Sequence, residues 1–174
     1  MSMVPARFTQ RFQTLLIAAS LSPLTLMAQT FPPPEAQPAL RGSTLEGKAF
    51  DLQALRGKVV MVVFWSTDCA VCRDKMPELR ANVKGWMGQP FQLISVSTDR
   101  QRSSAESYTQ LINITVPANQ RFTTLWSRDV RYHDTFGPTG HLPAAFLLDK
   151  SGRLVEQYHG RIPAEAWDRI ADLL

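Results

Sequence analysis

Residues 59–72 of the chain are VVMVVFWSTDCAVC. This stretch predicts a strand, a turn and the start of a helix, and the other predicted elements are placed relative to it. The run from Val59 to Trp65 is continuously apolar and rich in β-branched side chains, which predicts a central strand buried on both faces. A helix is predicted from about Cys69 to Trp86, because apolar residues recur there at helical intervals: Val71, Met76, Leu79, Val83 and Trp86. Pro77 falls inside this helix and is expected to kink it.

The alternation of strand and helix continues outward from this stretch. The further elements are predicted as a short hairpin or edge element over residues 40–52, a parallel strand over 91–96, a helix from a capping box at 103–106 to about 111, a short strand at 114–117, a helical segment over 122–136, a hairpin of residues 144–148 and 153–158, and a final helix from residue 163. This order predicts an α/β domain with an N-terminal β extension.

Length and composition fit one ordinary globular domain. The chain has 174 residues, of which 44% are apolar and 20% are charged, so it can bury a real core. The formal net charge is +4; residues 1–28 hold Arg7, Arg11 and no acidic residue, so the remainder carries 17 basic and 15 acidic residues, a net +2. The basic residues form no clusters, and no nucleic-acid partner is therefore expected.

The first 28 residues have the layout of an export signal. Arg7 and Arg11 precede an apolar run of about 14 residues, which is shorter than the ~20 residues that a membrane-spanning helix needs. We expect cleavage after Ala28, or retention of the segment as an uncleaved signal anchor. Residues 29–39 contain four prolines and form a linker, which leaves residues 40–174 as the working domain. That domain is expected in the periplasm or another extracytoplasmic compartment, either released or tethered.

Cysteine is the informative residue type, because the chain has only Cys69 and Cys72. Two cysteines at this spacing can close a small disulfide, and the unpaired amides at a helix N-terminus stabilise a thiolate. The pattern predicts that the Cys69 thiolate attacks a substrate disulfide and that Cys72, one turn down the helix and less exposed, resolves the mixed disulfide. The redox-active Cys69–Cys72 disulfide would then be the only redox group, with no bound cofactor and no metal ligands.

Other uses of the cysteine pair remain open at this point. A purely structural disulfide across so short a loop gains little chain entropy. Half of a zinc site, or a copper site that combines both cysteines with a histidine, would draw on His133, His141 or His159, none of which has the close spacing of a second ligand pair. A peroxiredoxin is disfavoured, because Thr67 precedes Cys69 by two residues and the proline of the usual peroxide-site pattern is absent.

The segment FWSTDCAVCRDKMPEL, residues 64–79, resembles the active-site segment of the TlpA-like and ResA-like exported thioredoxins, and residues 55–60 and 143–153 resemble the same family. This family includes thiol-disulfide oxidoreductases that serve cytochrome c maturation. The resemblance implies a thioredoxin fold, with a central mixed sheet flanked by helices and with Pro143 as a cis-proline facing the cysteines. That proline would expose the backbone of Leu142 for strand-like pairing with a substrate. Trp65 would be a structural and active-site aromatic, although packing at the strand end explains it equally well.

Several positions depart from the family pattern. Asp68 stands where an aromatic residue is common, and a carboxylate beside a thiol disfavours the thiolate. Lys75 stands where relatives often carry a glutamate proposed to assist proton transfer, and Val63 stands where cytoplasmic thioredoxins place a buried aspartate. Arg73 and Lys75 either favour the thiolate electrostatically or form a solvated helix face. His141, close to the expected cis-proline, is a candidate to line the site.

The resemblance and the cysteine pair together predict an exported enzyme, a thiol-disulfide oxidoreductase that reduces disulfides of exported proteins. The reducing direction comes from the resemblance alone. A disulfide-forming oxidase of the same fold and a copper-binding assembly factor are the alternatives. The expected partners are exported proteins with disulfides and a membrane thiol-disulfide relay that supplies electrons, and the domain is expected to act as a monomer.

Overall fold

The computed structural model describes residues 37–174, so the predicted export signal and most of the linker lie outside the described residues. The described chain forms these elements in order: β1 Leu40–Ser43, β2 Ala49–Asp51, β3 Val59–Trp65, α1 Ala70–Gly85, β4 Phe91–Ser97, α2 Arg102–Thr115, β5 Thr123–Trp126, β6 His133–Asp134, β7 Ala144–Leu148, β8 Leu154–His159 and α3 Glu165–Leu173. No helix within this part of the chain is both long enough and apolar enough to span a membrane.

The main sheet has five strands in the order β5-β4-β3-β7-β8, with β3 at its centre. β3, β4 and β5 run parallel, whereas β7 is antiparallel to both β3 and β8, so the sheet is mixed. A second sheet of three antiparallel strands, in the order β2-β1-β6, forms the N-terminal extension. The predicted α/β class, the central position of β3 and the N-terminal β extension are all confirmed.

The alternating side chains of β3 divide the core between the two faces of the main sheet. Val63 and Trp65 lie on the face covered by α1 and α3, together with Cys72 and Ile170. The side chains in between, such as Phe64, point to the opposite face. Every residue of β3 is buried, which explains its unbroken apolar sequence. Full burial of one such side chain is worth about 1.5–3 kcal/mol, so β3 anchors the turn that follows it.

The predicted helix over residues 69–86 agrees with α1, whose N-cap is Cys69 and whose C-cap is Trp86. Its buried residues share one helical face: Cys72, Met76 and Leu79. Val71, which the sequence groups with Met76 and Leu79 by spacing, is 48% exposed and does not share their buried face. The reason is helical geometry, because Val71 is one residue, about 100° of rotation, away from Cys72.

The segment between β4 and β7 differs from the prediction. α2 begins at Arg102, and its N-cap residue is Gln101, whose side chain makes no capping hydrogen bond. The capping box predicted at residues 103–106 is therefore wrong. Glu106 pairs with Arg102 instead, with 2.6 Å between Oε1 and Nε.

Three other expectations for this part of the chain are also wrong. α2 continues to Thr115 and replaces the strand predicted at residues 114–117. β5 and β6 replace the helical segment predicted over residues 122–136. Leu125 of β5 is fully buried, so burial in the sheet outweighs the local helical spacing of apolar residues. The last helix, α3, begins at Glu165, two residues later than predicted.

Candidate active site

The two cysteines form a disulfide at the N-terminus of α1, with 5.2 Å between their Cα atoms. Cys69 is the N-cap residue, and its Sγ accepts a hydrogen bond of 3.1 Å from the backbone N–H of Cys72. Cys72 is 1% exposed and belongs to the core, whereas Cys69 is only partly buried. A reagent from solution therefore reaches the sulfur of Cys69 before that of Cys72. In the reduced state the N-cap position supplies amide donors to a Cys69 thiolate.

The turn that leads from β3 to Cys69 is held by a carboxylate from the end of β4. Asp99 is 3% exposed, and its Oδ1 accepts hydrogen bonds from Ser66 Oγ at 2.9 Å, from Thr67 N at 2.9 Å and from Thr67 Oγ1 at 2.7 Å. Its Oδ2 accepts a fourth bond from Ser97 Oγ at 2.7 Å. Asp99 is not among the residues predicted from the sequence, because its partners Ser66 and Thr67 lie 33 and 32 residues away along the chain.

The charged residues next to the cysteines lie on the outside of this turn. Asp68 is exposed, and its backbone N–H donates to Ser66 Oγ at 3.2 Å. Its predicted opposition to the thiolate stays a prediction, and solvent is expected to weaken it because the side chain is exposed. Arg73 is also exposed, but its Nη1 donates to the carbonyl of Thr67 at 3.0 Å, which holds the guanidinium against the active-site turn. The predicted electrostatic effect of Arg73 on the Cys69 thiolate stays a prediction, and its contact with the turn that precedes Cys69 is consistent with it.

Lys75 is not part of a solvated helix face. Its side chain is only 15% exposed, and its Nζ lies 2.7 Å from Glu78 Oε2. The hydrogen bond from Lys75 lowers the pKa of Glu78, burial acts in the opposite direction, and a hydrogen bond of 3.0 Å from Trp167 Nε1 adds to the lowering. Lys75 and Glu78 line a pocket of about 140 Å³ together with Val71, Asp74 and Arg161.

Trp65 lies inside the core rather than at the surface of the site. It is 1% exposed, its Nε1 donates to Ser95 Oγ at 2.7 Å, and its ring lies 4.9 Å from that of Tyr108. A substrate cannot reach a side chain buried to this extent. Of the two interpretations made from the sequence, the structure favours packing at the strand end.

The expected cis-proline is present, because the bond between Leu142 and Pro143 is cis. β7 begins at Ala144, which pairs with Phe64 near the end of β3, so the segment before β7 and the segment that carries the cysteines leave the sheet at the same edge. The backbone of Leu142 takes no part in the strand ladders or in the turn hydrogen bonds of residues 37–174. On either side of it, the carbonyls of His141 and Pro143 both accept from the backbone N–H of Gly160, at 3.4 and 2.8 Å, so the backbone without a partner among the described residues is that of Leu142. His141 precedes it and is exposed.

Two of the three histidines have partners elsewhere in the fold. His133 pairs with Arg41 in the small sheet, and His159 Nδ1 lies 3.2 Å from the carbonyl of Thr139. Within residues 37–174, no three His, Cys, Asp or Glu side chains are grouped so that they could hold a metal ion. The described part of the chain thus offers no donor set in favour of the copper alternative or the zinc alternative.

Comparison with known protein families identifies the family of the chain. The model of the AhpC/TSA family matches residues 29–158, which is most of the chain. The chain belongs to the AhpC/TSA family. Curated relatives include proteins named thiol-disulfide oxidoreductase ResA: that of Bacillus thuringiensis strain Al Hakam is 28% identical over 116 residues, and that of Geobacillus thermodenitrificans is 27% identical over 123 residues. The resemblance to ResA-like proteins is thereby confirmed.

The matched regions cover 67% of this chain and 63% of the Bacillus protein, and 71% of this chain and 67% of the Geobacillus protein. Solved structures show the same fold. A thiol:disulfide interchange protein of the thioredoxin family from Chlorobium tepidum aligns with a TM-score of 0.61 at 22% identity, over 82% of this chain and 97% of that one. The thioredoxin domain of a thiol-disulfide oxidoreductase from Bacteroides vulgatus aligns with a TM-score of 0.62 at 20% identity, over 78% and 93%. The predicted thioredoxin fold is confirmed.

Proposed function

We propose that this protein is an extracytoplasmic thiol-disulfide oxidoreductase that reduces the disulfides of exported proteins. The observation that carries the proposal is the position of the Cys69–Cys72 pair, with one sulfur at the helix N-cap and accessible, and the other buried one turn further on. This arrangement separates an attacking thiol from a resolving thiol. The relatives named thiol-disulfide oxidoreductase support the same activity.

In the proposed cycle the reduced protein transfers two electrons to its substrate. The Cys69 thiolate attacks one sulfur of the substrate disulfide, so that a mixed disulfide forms and the other substrate sulfur leaves as a thiolate. Cys72 then attacks Cys69 Sγ, which releases the second substrate thiol and forms the Cys69–Cys72 disulfide. A dithiol of a membrane relay reverses these two exchanges and restores the reduced protein. No bound cofactor takes part.

The substrate chain is proposed to lie along the segment before β7. The Leu142 backbone leaves the sheet at the same edge as the cysteines, and its open peptide groups would pair with an extended substrate. Val71, which is exposed between the two cysteines, would provide an apolar contact beside the reacting sulfur. Main-chain pairing with one small apolar contact suits a protein that accepts more than one substrate.

Insulin reduction in the presence of a dithiol donor tests the activity. The reduced protein is expected to accelerate insulin precipitation, and the Cys69→Ser variant is expected to be inactive. Cysteine-independent turnover, or none at all, would overturn the proposal. Hydrogen peroxide consumption is expected to be negligible, and rapid consumption would favour a peroxidase instead.

The direction of electron flow is tested separately by a redox titration against glutathione. A reductant is expected to have a potential close to that of thioredoxin, roughly −270 mV. A value near that of the dedicated oxidant DsbA, roughly −120 mV, would favour the disulfide-forming alternative.

Export and the substrate are further parts of the proposal. Fusion of residues 1–36 to a reporter enzyme that is active only outside the cytoplasm is expected to give activity, and an inactive fusion would contradict export. The Cys72→Ser variant retains Cys69 and should accumulate the mixed disulfide with the natural substrate. Recovery of an apocytochrome c in that complex would support a role in cytochrome c maturation, whereas recovery of other exported proteins would contradict it. Retention of Cu(I) through dialysis without disulfide exchange would favour the copper alternative.

A further inference from the structure

Asp99 is a buried carboxylate that the proposed exchange cycle does not use. It follows β4, and its side chain reaches across to the turn that follows β3. Its own backbone is fixed as well, because its carbonyl accepts a hydrogen bond of 2.8 Å from Trp126 Nε1 at the end of β5. Asp99 therefore ties together the ends of three parallel strands at the edge of the sheet where the cysteines lie.

The Asp99 carboxylate accepts all four of the hydrogen bonds that its oxygens make with the described residues. Ser66 Oγ accepts from the backbone N–H of Asp68, and Ser97 Oγ accepts from the backbone N–H of Asp99 itself. Both hydroxyls are therefore free to donate to the carboxylate, as Thr67 does through its N–H and its Oγ1. Three donors reach Oδ1 and the fourth, Ser97 Oγ, reaches Oδ2, where an amide would place an N–H donor instead of an acceptor.

The turn fixed in this way determines where Cys69 lies. Ser66 holds Cys69 through a backbone hydrogen bond of 3.2 Å from Cys69 N to Ser66 O, and the carbonyl of Thr67 receives Arg73 Nη1. Displacement of the turn would move the Cys69 sulfur away from the amides at the N-terminus of α1, and it would break the contact between Arg73 and the carbonyl of Thr67. The contact that favours the thiolate is the 3.1 Å hydrogen bond from the backbone N–H of Cys72 to Cys69 Sγ, and it depends on the shape of residues 66–69 because that turn places the sulfur.

We propose that Asp99 is a positioning residue for Cys69, which holds the turn of residues 66–69 so that the Cys69 sulfur stays at the N-cap of α1. The inference deepens the proposed thiol-disulfide exchange and rests on it for its biological meaning. It also predicts the direction in which the pKa of the Cys69 thiol moves when Asp99 is replaced. Loss of the turn raises the pKa of the Cys69 thiol, whereas the mere loss of a nearby negative charge would lower it.

The experiment measures the rate of iodoacetamide alkylation of Cys69 as a function of pH. In a Cys72→Ser background Cys69 is the only thiol, because the chain has no other cysteine. Asp99→Asn is expected to raise the midpoint of the alkylation profile by at least about half a unit, with a threefold or greater loss of rate near neutral pH. Asp68, Arg73 and His141, the other charged or titratable groups beside Cys69 and on the segment before β7, are unchanged in these variants, so the shift reports on Asp99.

Two further variants keep the test decisive. Thr124→Val removes another buried hydroxyl of the sheet that does not touch the turn, and it should leave the profile unchanged. Ser66→Ala removes one donor to Asp99 and should shift the profile in the same direction by a smaller amount, which serves if Asp99→Asn does not fold. An unchanged or lowered midpoint in folded variants would overturn the positioning role. Alkylation needs no disulfide substrate, so a shifted midpoint in these variants, together with no insulin reduction by the parent protein that keeps both cysteines, would refute the proposed function alone.

Discussion

Replacement of Trp65 by phenylalanine separates the two roles that the sequence allows for this residue. The substitution removes the 2.7 Å hydrogen bond from Nε1 to Ser95 Oγ and part of the ring volume packed against Tyr108. Loss of one buried hydrogen bond is worth about 1 kcal/mol, since Ser95 Oγ keeps Thr124 Oγ1 at 3.4 Å as a partner. The incompletely filled space adds about 1–2 kcal/mol.

The expected loss in the free energy of unfolding is therefore about 2–3 kcal/mol. At about 3 °C per kcal/mol for a domain of this size, Tm should fall by about 6–9 °C. Urea unfolding of the oxidised protein, followed by circular dichroism, measures the first quantity. Insulin reduction at a temperature where both proteins are folded measures activity per folded molecule, which should change by less than twofold because Trp65 is 1% exposed.

Trp86→Phe is the matched control. Trp86 caps the other end of α1 and is only partly buried, so the same chemical change there should cost less than about 1 kcal/mol. If Trp65→Phe is as stable as the parent protein, the packing argument is wrong. If its stability falls as expected but its activity per folded molecule falls tenfold, Trp65 belongs to the active site.

Two further predictions concern the ion pairs. Burial would raise the pKa of Asp149, but hydrogen bonds from Ser151 and Arg153 lower it from 3.8 to about 2. This difference in pKa corresponds to about 2 kcal/mol of folding stability. The contribution is present above pH ~4 and is lost as the pH falls towards 2. Asp149→Asn should thus be less stable by this amount at pH 7 and match the parent protein at pH 2 in urea unfolding; a constant difference would contradict the argument. The lowered pKa of Glu78 has the same sign, but its side chain is 44% exposed, so Glu78→Gln should lose less than about 1 kcal/mol at neutral pH, and 1 M salt should reduce the loss.

The elements that the sequence predicts well are those with one dominant local signal. β3 has an unbroken apolar run because both of its faces are covered, and α1 has an apolar face on every turn. The region from residue 102 to 136 has no such signal. There the fold depends on contacts between distant residues, such as Arg102 Nη1 with Asp129 Oδ2 at 3.0 Å and the pairing of β6 with β1. Local propensity does not contain contacts of this kind.

In the candidate site, too, some residues can be predicted from local sequence, whereas others depend on contacts between distant parts of the chain. The cysteine pair is adjacent in the sequence, so its position at a helix start follows from local pattern, and Pro143 follows from the resemblance. Asp99 could not be predicted in this way, because parallel strands bring their carboxyl ends together only in the folded sheet. A buried strand followed by the sequence Ser97-Thr98-Asp99 gives one usable signal, since a carboxylate at the end of such a strand requires hydrogen-bond donors from its neighbours.

In the proposed cycle the Cys72 thiol must lose its proton before it attacks the mixed disulfide, and a carboxylate is one possible acceptor. Asp99 is saturated by four donors, and Val63 places no acid in the strand below the site. Glu78 lies six residues beyond Cys72 on α1, and its pKa is lowered by Lys75, which makes it a poor base for a thiol whose ordinary pKa is about 8.5. Efficient proton transfer needs groups of similar pKa. The substrate thiolate released in the first exchange meets this condition, so the substrate itself is a better acceptor of the Cys72 proton than Asp99 or Glu78.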